Sequence, residues 1–204
     1  IHINHYIMNA LIFAAGLGTR LKPLTDTMPK AMVPICGKPL IQILIEKLKK
    51  VGVNEIVINV HHFAQQIIDF VELNDGFGVN IKFSDETNLL LETGGGLKQA
   101  ATLFSHDAPI LVHNVDILSN ADILSLYNGA SSTVLLVSQR DTQRYLLFDS
   151  TSRLVGWTNI ATGEIKSPYP EIKALEVDYQ LSVINSHFQK YAYSGIQVFH
   201  PSLL

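Results

Sequence analysis

The sequence predicts an α/β fold, a sandwich in which helices cover a largely parallel sheet. Three observations carry that expectation. Short apolar runs alternate with helical-period stripes from residue 10 to residue 138, the order that builds βαβ units. The chain is 47% hydrophobic and 16% charged over 204 residues, against about a quarter charged in ordinary domains, so its apolar surface suffices for a sizeable core. No repeat, low-complexity tract or linker interrupts it, and residues 8–204 read as one domain. Residues 1–7 precede the first methionine, Met8, and read as a leader or a cloning remnant.

The first strand is residues 10–15, an apolar run closing on glycines. Residues 16–39 are rich in Gly, Pro, Thr and Lys and read as one long structured loop. Loops of that length in compact domains usually serve function. Apolar positions 40, 41, 44, 45, 48 and 51 then trace one face of a helix. Lys47, Lys49 and Lys50 complement its dipole, and Gly52 ends it. Strands follow at 55–60, 80–84, 109–116 and 133–138, interleaved with helices at 64–73, 95–104 and 121–127. Ser119 or Asn120 is the expected cap of the last helix. After Gln139 the texture changes. Residues 145–148 and 154–159 flank turn residues 149–152 as a hairpin, which Trp157 packs, and Thr162-Gly163 makes another turn. Residues 192–200 form a final strand, and Pro201 opens a helix.

Composition excludes several classes. Net charge is only -3 and apolar content is high, so the chain is not disordered. One cysteine, Cys36, excludes an internal disulfide and a cysteine-cluster metal site. No stretch approaches a membrane span, residues 1–7 hold no Lys or Arg and do not form a signal peptide, and the expected location is the cytoplasm. Residues 20–50 hold seven of the fifteen basic residues and two of the eighteen acids, a local +5 that leaves −8 for 51–204. A confined basic segment suits a local anion site. It does not make the broad basic stripe of a nucleic-acid surface.

The densest motif sits inside that segment: Gly16-Leu17-Gly18-Thr19-Arg20-Leu21-Lys22-Pro23-Leu24-Thr25, then Pro29-Lys30. It begins where a strand ends. Glycines there let backbone N–H groups approach phosphate oxygens. Arg20 offers a forked donor and Lys30 a point charge, and Pro23, Pro29 and Pro34 stiffen the loop. A dinucleotide fingerprint would need glycine where Leu21 stands, and the Gly-Lys-Ser/Thr of a P-loop is absent. The same residues also suit an ordinary turn with solvated charges.

Residues 11–30, with Gly-x-Gly-Thr-Arg-x-x-Pro-Leu-Thr and Pro-Lys, resemble the signature of the sugar-1-phosphate nucleotidyltransferases, or nucleotide-sugar pyrophosphorylases. The resemblance continues through Gly37-Lys38-Pro39-Leu40, Glu92-Thr93-Gly94-Gly95-Gly96, Asn114-Val115-Asp116 and Ser194-Gly195-Ile196. The Glu-Thr-Gly-Gly-Gly run looks most like N-acetylmuramate-1-phosphate uridylyltransferases and mannose-1-phosphate guanylyltransferases. It implies a Rossmann-like three-layer sandwich with a mixed, largely parallel sheet. It also implies transfer of a nucleotidyl group from a nucleoside triphosphate to a sugar 1-phosphate, releasing pyrophosphate. Arg20 and Lys30 are then the catalytic residues. The nucleotide lies on Ala14, Ala15, Gly16, Gly18, Thr19, Gly94 and Gly95, with a polar side chain near Asp85 or Glu86 reading the base. The sugar lies near Asn114 and Gly195, and Asp116 binds Mg²⁺. Backbone contacts are the same for different bases, so the resemblance leaves base and sugar open, and oligomeric state has no signal in the sequence.

Two departures stand out. The family pattern is Asn-Gly-Asp, whereas this chain has Asn114-Val115-Asp116. Val115 is harmful if that position needs positive φ or close contact, and harmless if it lies in the strand. A second metal aspartate falls late in the family. Here no Asp follows Asp178, so the expected domain stops before the family's C-terminal end. These departures keep a non-catalytic nucleotide or sugar-phosphate sensor as an alternative, and an NAD(P)-dependent oxidoreductase is a more distant one. His61-His62 and His113 lack zinc spacing, because neighbouring histidines on a strand point to opposite faces. Cys36 has no base partner in the sequence and reads as a buried or loop thiol, not a nucleophile.

Overall fold

The computed structural model describes residues 7–105, 107–130, 133–174 and 188–204. The chain divides into two compact units, Ile1–Val134 with Gly195–Leu204, and Leu135–Ser194.

The first unit is built on β1 (Asn9–Phe13), β4 (Glu55–Val60), β5 (Asn80–Asp85) and β6 (Ile110–Asn114). β1 pairs parallel with both β4 and β6, and β4 pairs parallel with β5. Ile196–Phe199, the end of β11 (Gln189–Phe199), add an antiparallel edge to β6. The order β11–β6–β1–β4–β5 is thus the expected mixed, mostly parallel sheet. All six residues of β4 are buried, as a central parallel strand requires.

Helices α1 (Leu40–Lys50), α2 (Ala64–Leu73) and α3 (Glu92–Ala101) connect these strands. The steps from β1 to β4 and from β4 to β5 run one way across the sheet, and the step from β5 to β6 runs back. Right-handed crossovers then put α1 and α2 on one face and α3 on the other. Leu97 and Ala100 of α3 accordingly pack with Leu11, Val57, Ile110 and Val112. The stripe on α1 is buried through Leu40, Ile41, Leu44, Ile45 and Leu48. Its end is the expected glycine stop. Gly52 has φ +95, its N–H donates to Lys49 O at 3.0 Å, and the Val53 N–H donates to Leu48 O at 3.1 Å, the paired bonds of a Schellman cap.

Several expectations change. β1 ends at Phe13, because the next two amides turn to a side chain instead of the ladder. β6 is shorter than 109–116. The 16–39 loop contains short 3₁₀ turns at Thr19–Leu21, Leu24–Asp26 and Lys30–Met32, then a hairpin of β2 (Pro34–Ile35) and β3 (Lys38–Pro39). α3 begins at Glu92, earlier than the expected 95, so Gly94, Gly95 and Gly96 all lie inside it. Glycine disfavours helix interiors by about 1 kcal/mol, but close packing favours it at Gly96. A Cβ on Gly96 would lie 2.7 Å from Glu86 Oε1. The cap of α4 (Ile123–Asn128) is Asp122, whose carboxylate accepts from Ser125 N at 3.0 Å, and Ser119 instead accepts from Ala121 N.

The second unit is an antiparallel sheet. β7 (Val134–Ser138) pairs with β11. The expected hairpin forms from β8 (Arg144–Phe148) and β9 (Leu154–Asn159). Asp149 nucleates its turn, accepting from the amides of Thr151 at 2.8 Å and Arg153 at 3.0 Å. The Thr162-Gly163 turn leads into a strand not foreseen, β10 (Glu164–Lys166), followed by α5 (Pro170–Lys173). Leu147, Val155 and Ile172 are the buried core. The expected strand 192–200 is the later part of β11, which ends at Phe199, and Pro201 starts a 3₁₀ turn capped by His200. Asp178 and residues 1–6 lie outside the described residues. Among the described residues no helix is long and apolar enough to cross a membrane.

Candidate active site

Parallel strands deliver their C-terminal ends to one side of a sheet, where ligands of open α/β folds gather. In the first unit that side carries two adjoining cavities. The smaller, about 250 Å³, lies over the ends of β1, β4 and β6 and the start of α3. It is bordered by Ala14, Ala15, Gly16, Asn59, Glu86, Thr93 and Asn114, among others. The larger, about 640 Å³, is walled by Gly18, Thr19, Arg20, Ile35, Leu40 and Leu118. Gly16, Lys30 and Asp116 line both.

The glycine loop takes its shape from Gly18. Its φ is +64, and a Cβ would approach Thr25 Cγ2 to 2.8 Å and Lys30 Cβ to 3.1 Å, so only glycine fits. The Gly18 carbonyl accepts from Leu21 N at 2.8 Å and from Thr25 Oγ1 at 2.9 Å. These bonds fold the Thr19–Leu21 turn back on itself and bring Lys30 beside the loop. Lys30 Nζ donates to Asp116 Oδ2, which lies just past β6. Beyond Asp116 the chain is held by Lys47 Nζ, which donates to Ser119 O at 2.5 Å. Burial lowers the pKa of Lys47.

At the smaller cavity, Asn59 Oδ1 accepts the amides of Ala14 at 2.6 Å and Ala15 at 3.2 Å. Asn59 Nδ2 donates to Glu86 Oε1 at 2.9 Å, and Glu86 Oε2 accepts from Leu91 N at 3.0 Å. Both side chains are buried. The Ala14 and Ala15 amides are committed to Asn59, so what these two residues offer the cavity they border is their carbonyls and methyl groups. Sequence reasoning does not find Asn59, whose place in an all-buried strand looks like core. It comes close with Glu86.

The structure sorts the remaining expected residues. Gly16, Gly18, Thr19, Arg20, Lys30 and Asp116 converge on the larger cavity, and Ala14, Ala15 and Asn114 border the smaller. Gly94 and Gly95 line neither, and Glu92 and Thr93 of the same helix take that place. Gly195 also lies off both walls. Its φ is +77, and a Cβ would fall 2.7 Å from Ile117 Cγ1 and 3.2 Å from Asn114 Nδ2, so it lets the strand pass close to Asn114. Val115 is not among the residues with positive φ. It lies one residue past β6, buried beside the smaller cavity, and donates its N–H to Phe13 O at 3.1 Å, so it is outside the strand but carries no positive-φ strain.

Histidine chemistry is not part of this site. Burial, helped by the Lys47 charge, outweighs a hydrogen bond with Asn114 O and the charge of Asp116 and brings the His113 pKa down to about 4. The ring is therefore neutral at pH 7. His61 Nδ1 is engaged with Glu86 O at 2.7 Å. Among the described residues no three His, Cys, Asp or Glu side chains cluster as a metal cage. Asp116 alone is a single, partly exposed carboxylate on the wall shared by two cavities. That donor set suits a hard divalent cation which takes its other ligands from phosphate oxygens and water, and does not suit zinc.

Comparison with known proteins places the chain in a family and a fold. The nucleotidyl transferase family model matches residues 9–145. An N-acetylmuramate alpha-1-phosphate uridylyltransferase of Neisseria meningitidis is 44% identical over 125 residues, 61% of this chain and 54% of that protein. The mannose-1-phosphate guanylyltransferase catalytic subunit beta of Dictyostelium discoideum is 35% identical over 144 residues, 68% of this chain and 40% of that protein. The chain thus spans about half the length of the curated relatives it matches or less. Among solved structures, HddC from Yersinia pseudotuberculosis complexed with GMP-PN superposes with a TM-score of 0.69 at 24% identity, covering 97% of this chain and 78% of that one. UDP-glucose pyrophosphorylase complexed with UDP-glucose gives 0.66 at 17% identity, covering 97% and 77%. At such identities the likeness establishes the Rossmann-like α/β fold.

Proposed function

The chain belongs to the nucleotidyl transferase family, and from that premise we propose that it is an enzyme condensing a nucleoside triphosphate with a sugar 1-phosphate, in the cytoplasm. The observation that carries this reading is the Lys30–Asp116 pair on the wall common to two cavities. One cavity takes the nucleoside and the other the phosphates flanked by Arg20, so the reacting phosphorus lies where they meet.

The attacking group is an oxygen of the sugar phosphate, already anionic, so no base is needed to activate it. Its bond to the α-phosphorus forms as the bond from that phosphorus to the β-phosphate oxygen breaks, and pyrophosphate leaves with the electron pair. The difficulty is electrostatic, because two polyanions must be held in line at close range. Arg20 neutralises the charge that develops on the phosphates, with two N–H groups able to engage two oxygens. Lys30 exchanges Asp116 for a phosphate oxygen. Asp116 would hold Mg²⁺, which would supply charge neutralisation for the phosphates. The apolar wall of Ile35, Leu40 and Leu118 keeps the charges in a medium of lower polarity, where each contact is stronger.

UTP with N-acetylmuramate 1-phosphate and GTP with mannose 1-phosphate are the first pairs to try, since those sugars and bases belong to the relatives' names. Pyrophosphate release is measured for a panel of nucleotides and sugar phosphates with Mg²⁺. Turnover restricted to one nucleotide–sugar pair is the expected result. A folded protein that turns over no pair overturns the catalytic reading.

A further inference from the structure

We propose that Asn59 is a positioning residue for the nucleotide. Through it, the first residues after β1 are held to the start of α3 by a hydrogen-bond relay that touches neither reacting phosphate. The inference rests on the function proposed above and adds to it a residue outside the glycine loop and outside the Lys30–Asp116 pair.

The relay can be followed atom by atom. One oxygen, Asn59 Oδ1, takes both the Ala14 and Ala15 amides, at 2.6 and 3.2 Å. A carbonyl oxygen has two lone pairs, so its capacity is filled. Peptide planarity then turns the Ala14 carbonyl to the side opposite Asn59, which fixes the face that the Ala14–Ala15 peptide presents. The other half of the amide, Nδ2, donates to Glu86 Oε1 at 2.9 Å, and Glu86 Oε2 receives Leu91 N at 3.0 Å, one residue before α3. Asn59 and Glu86 are each 2% exposed and both border the smaller cavity. Helix α3 comes close enough that a Cβ on Gly96 would meet Glu86 Oε1 at 2.7 Å and Asn59 Nδ2 at 3.4 Å. The polarity of the relay is fixed throughout. The amides donate to Asn59, Asn59 donates to Glu86, and Leu91 donates to Glu86. With Asn at 59, an acceptor-only side chain at 86 is needed to satisfy every group, so the two positions must be complementary.

That polarity supplies the test. Asn59→Asp keeps the acceptor for the two amides but sets a second carboxylate against Glu86. Glu86→Gln alone must face an N–H toward either Asn59 Nδ2 or Leu91 N. The double variant, Asn59→Asp together with Glu86→Gln, reverses the middle bond. The new amide at position 86 then donates to the new carboxylate at position 59 and accepts from Leu91, and all groups are satisfied again. Direct binding of UTP and GTP to the full chain is measured by calorimetry, with the melting temperature of each variant recorded beside it. Each single variant is expected to weaken nucleotide binding about tenfold. The double variant is expected to recover to within about threefold of wild type, while affinity for sugar 1-phosphate stays within about twofold throughout. Single variants that fold and bind nucleotide like wild type overturn the inference and leave the function untouched. Equal loss for nucleotide and sugar phosphate, in step with melting temperature and without recovery in the double variant, also overturns it. A wild-type chain that binds no nucleotide overturns the function and this inference together. If the variants do not fold, amide hydrogen exchange on the wild-type chain decides. Ala14 and Ala15 are expected to be protected without nucleotide, and rapid exchange there contradicts the relay.

Discussion

Glu55 and Asn59 stand at the two ends of β4, four residues apart on the same face of the sheet, each with 2% of its surface exposed. At the Glu55 end the polar groups close on one another. The carboxylate accepts from Lys82 Nζ at 2.7 Å, Asn80 Nδ2 at 3.0 Å, Ser105 Oγ at 2.9 Å and Ser105 N at 2.8 Å, and it borders neither cavity. Burial pushes the Glu55 carboxyl up, but the hydrogen bonds from Lys82 and Ser105 and the Lys82 charge outweigh it and hold the pKa below the usual range. At the Asn59 end the partners are loop amides and a glutamate, and the network borders a cavity. Burial is the same, so burial does not distinguish a structural group from a functional one. The difference lies in whether the partners complete each other or leave a shaped surface for something else.

Substitutions at the two ends should therefore separate stability from activity. The largest effect is expected at Arg20. Arg20→Ala should lower turnover by about 10³-fold, by analogy with other phosphoryl-transfer arginines. Its exposure keeps the change in unfolding free energy within about 0.5 kcal/mol, and steady-state rates with a urea titration check both. Next is His113, buried near the site yet belonging to the structural class. Its folded pKa, about 4, lies below the ordinary 6.5. The unfolded chain therefore binds the proton more tightly, and stability present above pH 6.5 is lost as pH falls toward 4. The loss is on the order of 3 kcal/mol, and His113→Leu should flatten that limb of the stability–pH curve.

Asp116→Asn, or chelation of the divalent cation, should cost about 10²-fold in turnover while melting temperature hardly changes. A large fall in melting temperature would move Asp116 to the structural class. Glu55→Gln should do the reverse, losing about 2 kcal/mol of stability with nucleotide affinity unchanged. The smallest effect is expected at Val115. Val115→Gly should leave turnover within about twofold and cost about 1 kcal/mol through the greater freedom of the unfolded chain.

Much of this division is legible in the sequence, and the reasons are physical. Strands such as 55–60 and the helix from Leu40 are set by periodicity and by a Gly52 stop, which are local signals. The glycine loop is legible because Gly18, Arg20 and Lys30 stand at the spacing of the family motif they resemble. What stays hidden depends on non-local contacts. The start of α3 escapes a local reading because three glycines oppose a helix, while Glu86, ten residues before Gly96, demands the smallest residue there. Asn59 is hidden because a polar residue in an apolar strand carries no mark of its partners, which are 44 and 45 residues away. The short strand β10 and helix α5 lack enough residues to establish a period.

The central claim is that the two cavities meeting at Lys30 and Asp116 join a nucleotide to a sugar phosphate. The most direct measurement supplies UTP or GTP labelled with ³²P at the α-phosphate, together with N-acetylmuramate 1-phosphate or mannose 1-phosphate and Mg²⁺. The label should appear in a nucleotide-diphospho-sugar as pyrophosphate accumulates in equal amount. Label that stays in the triphosphate, or that emerges only in a nucleoside monophosphate, would contradict the claim.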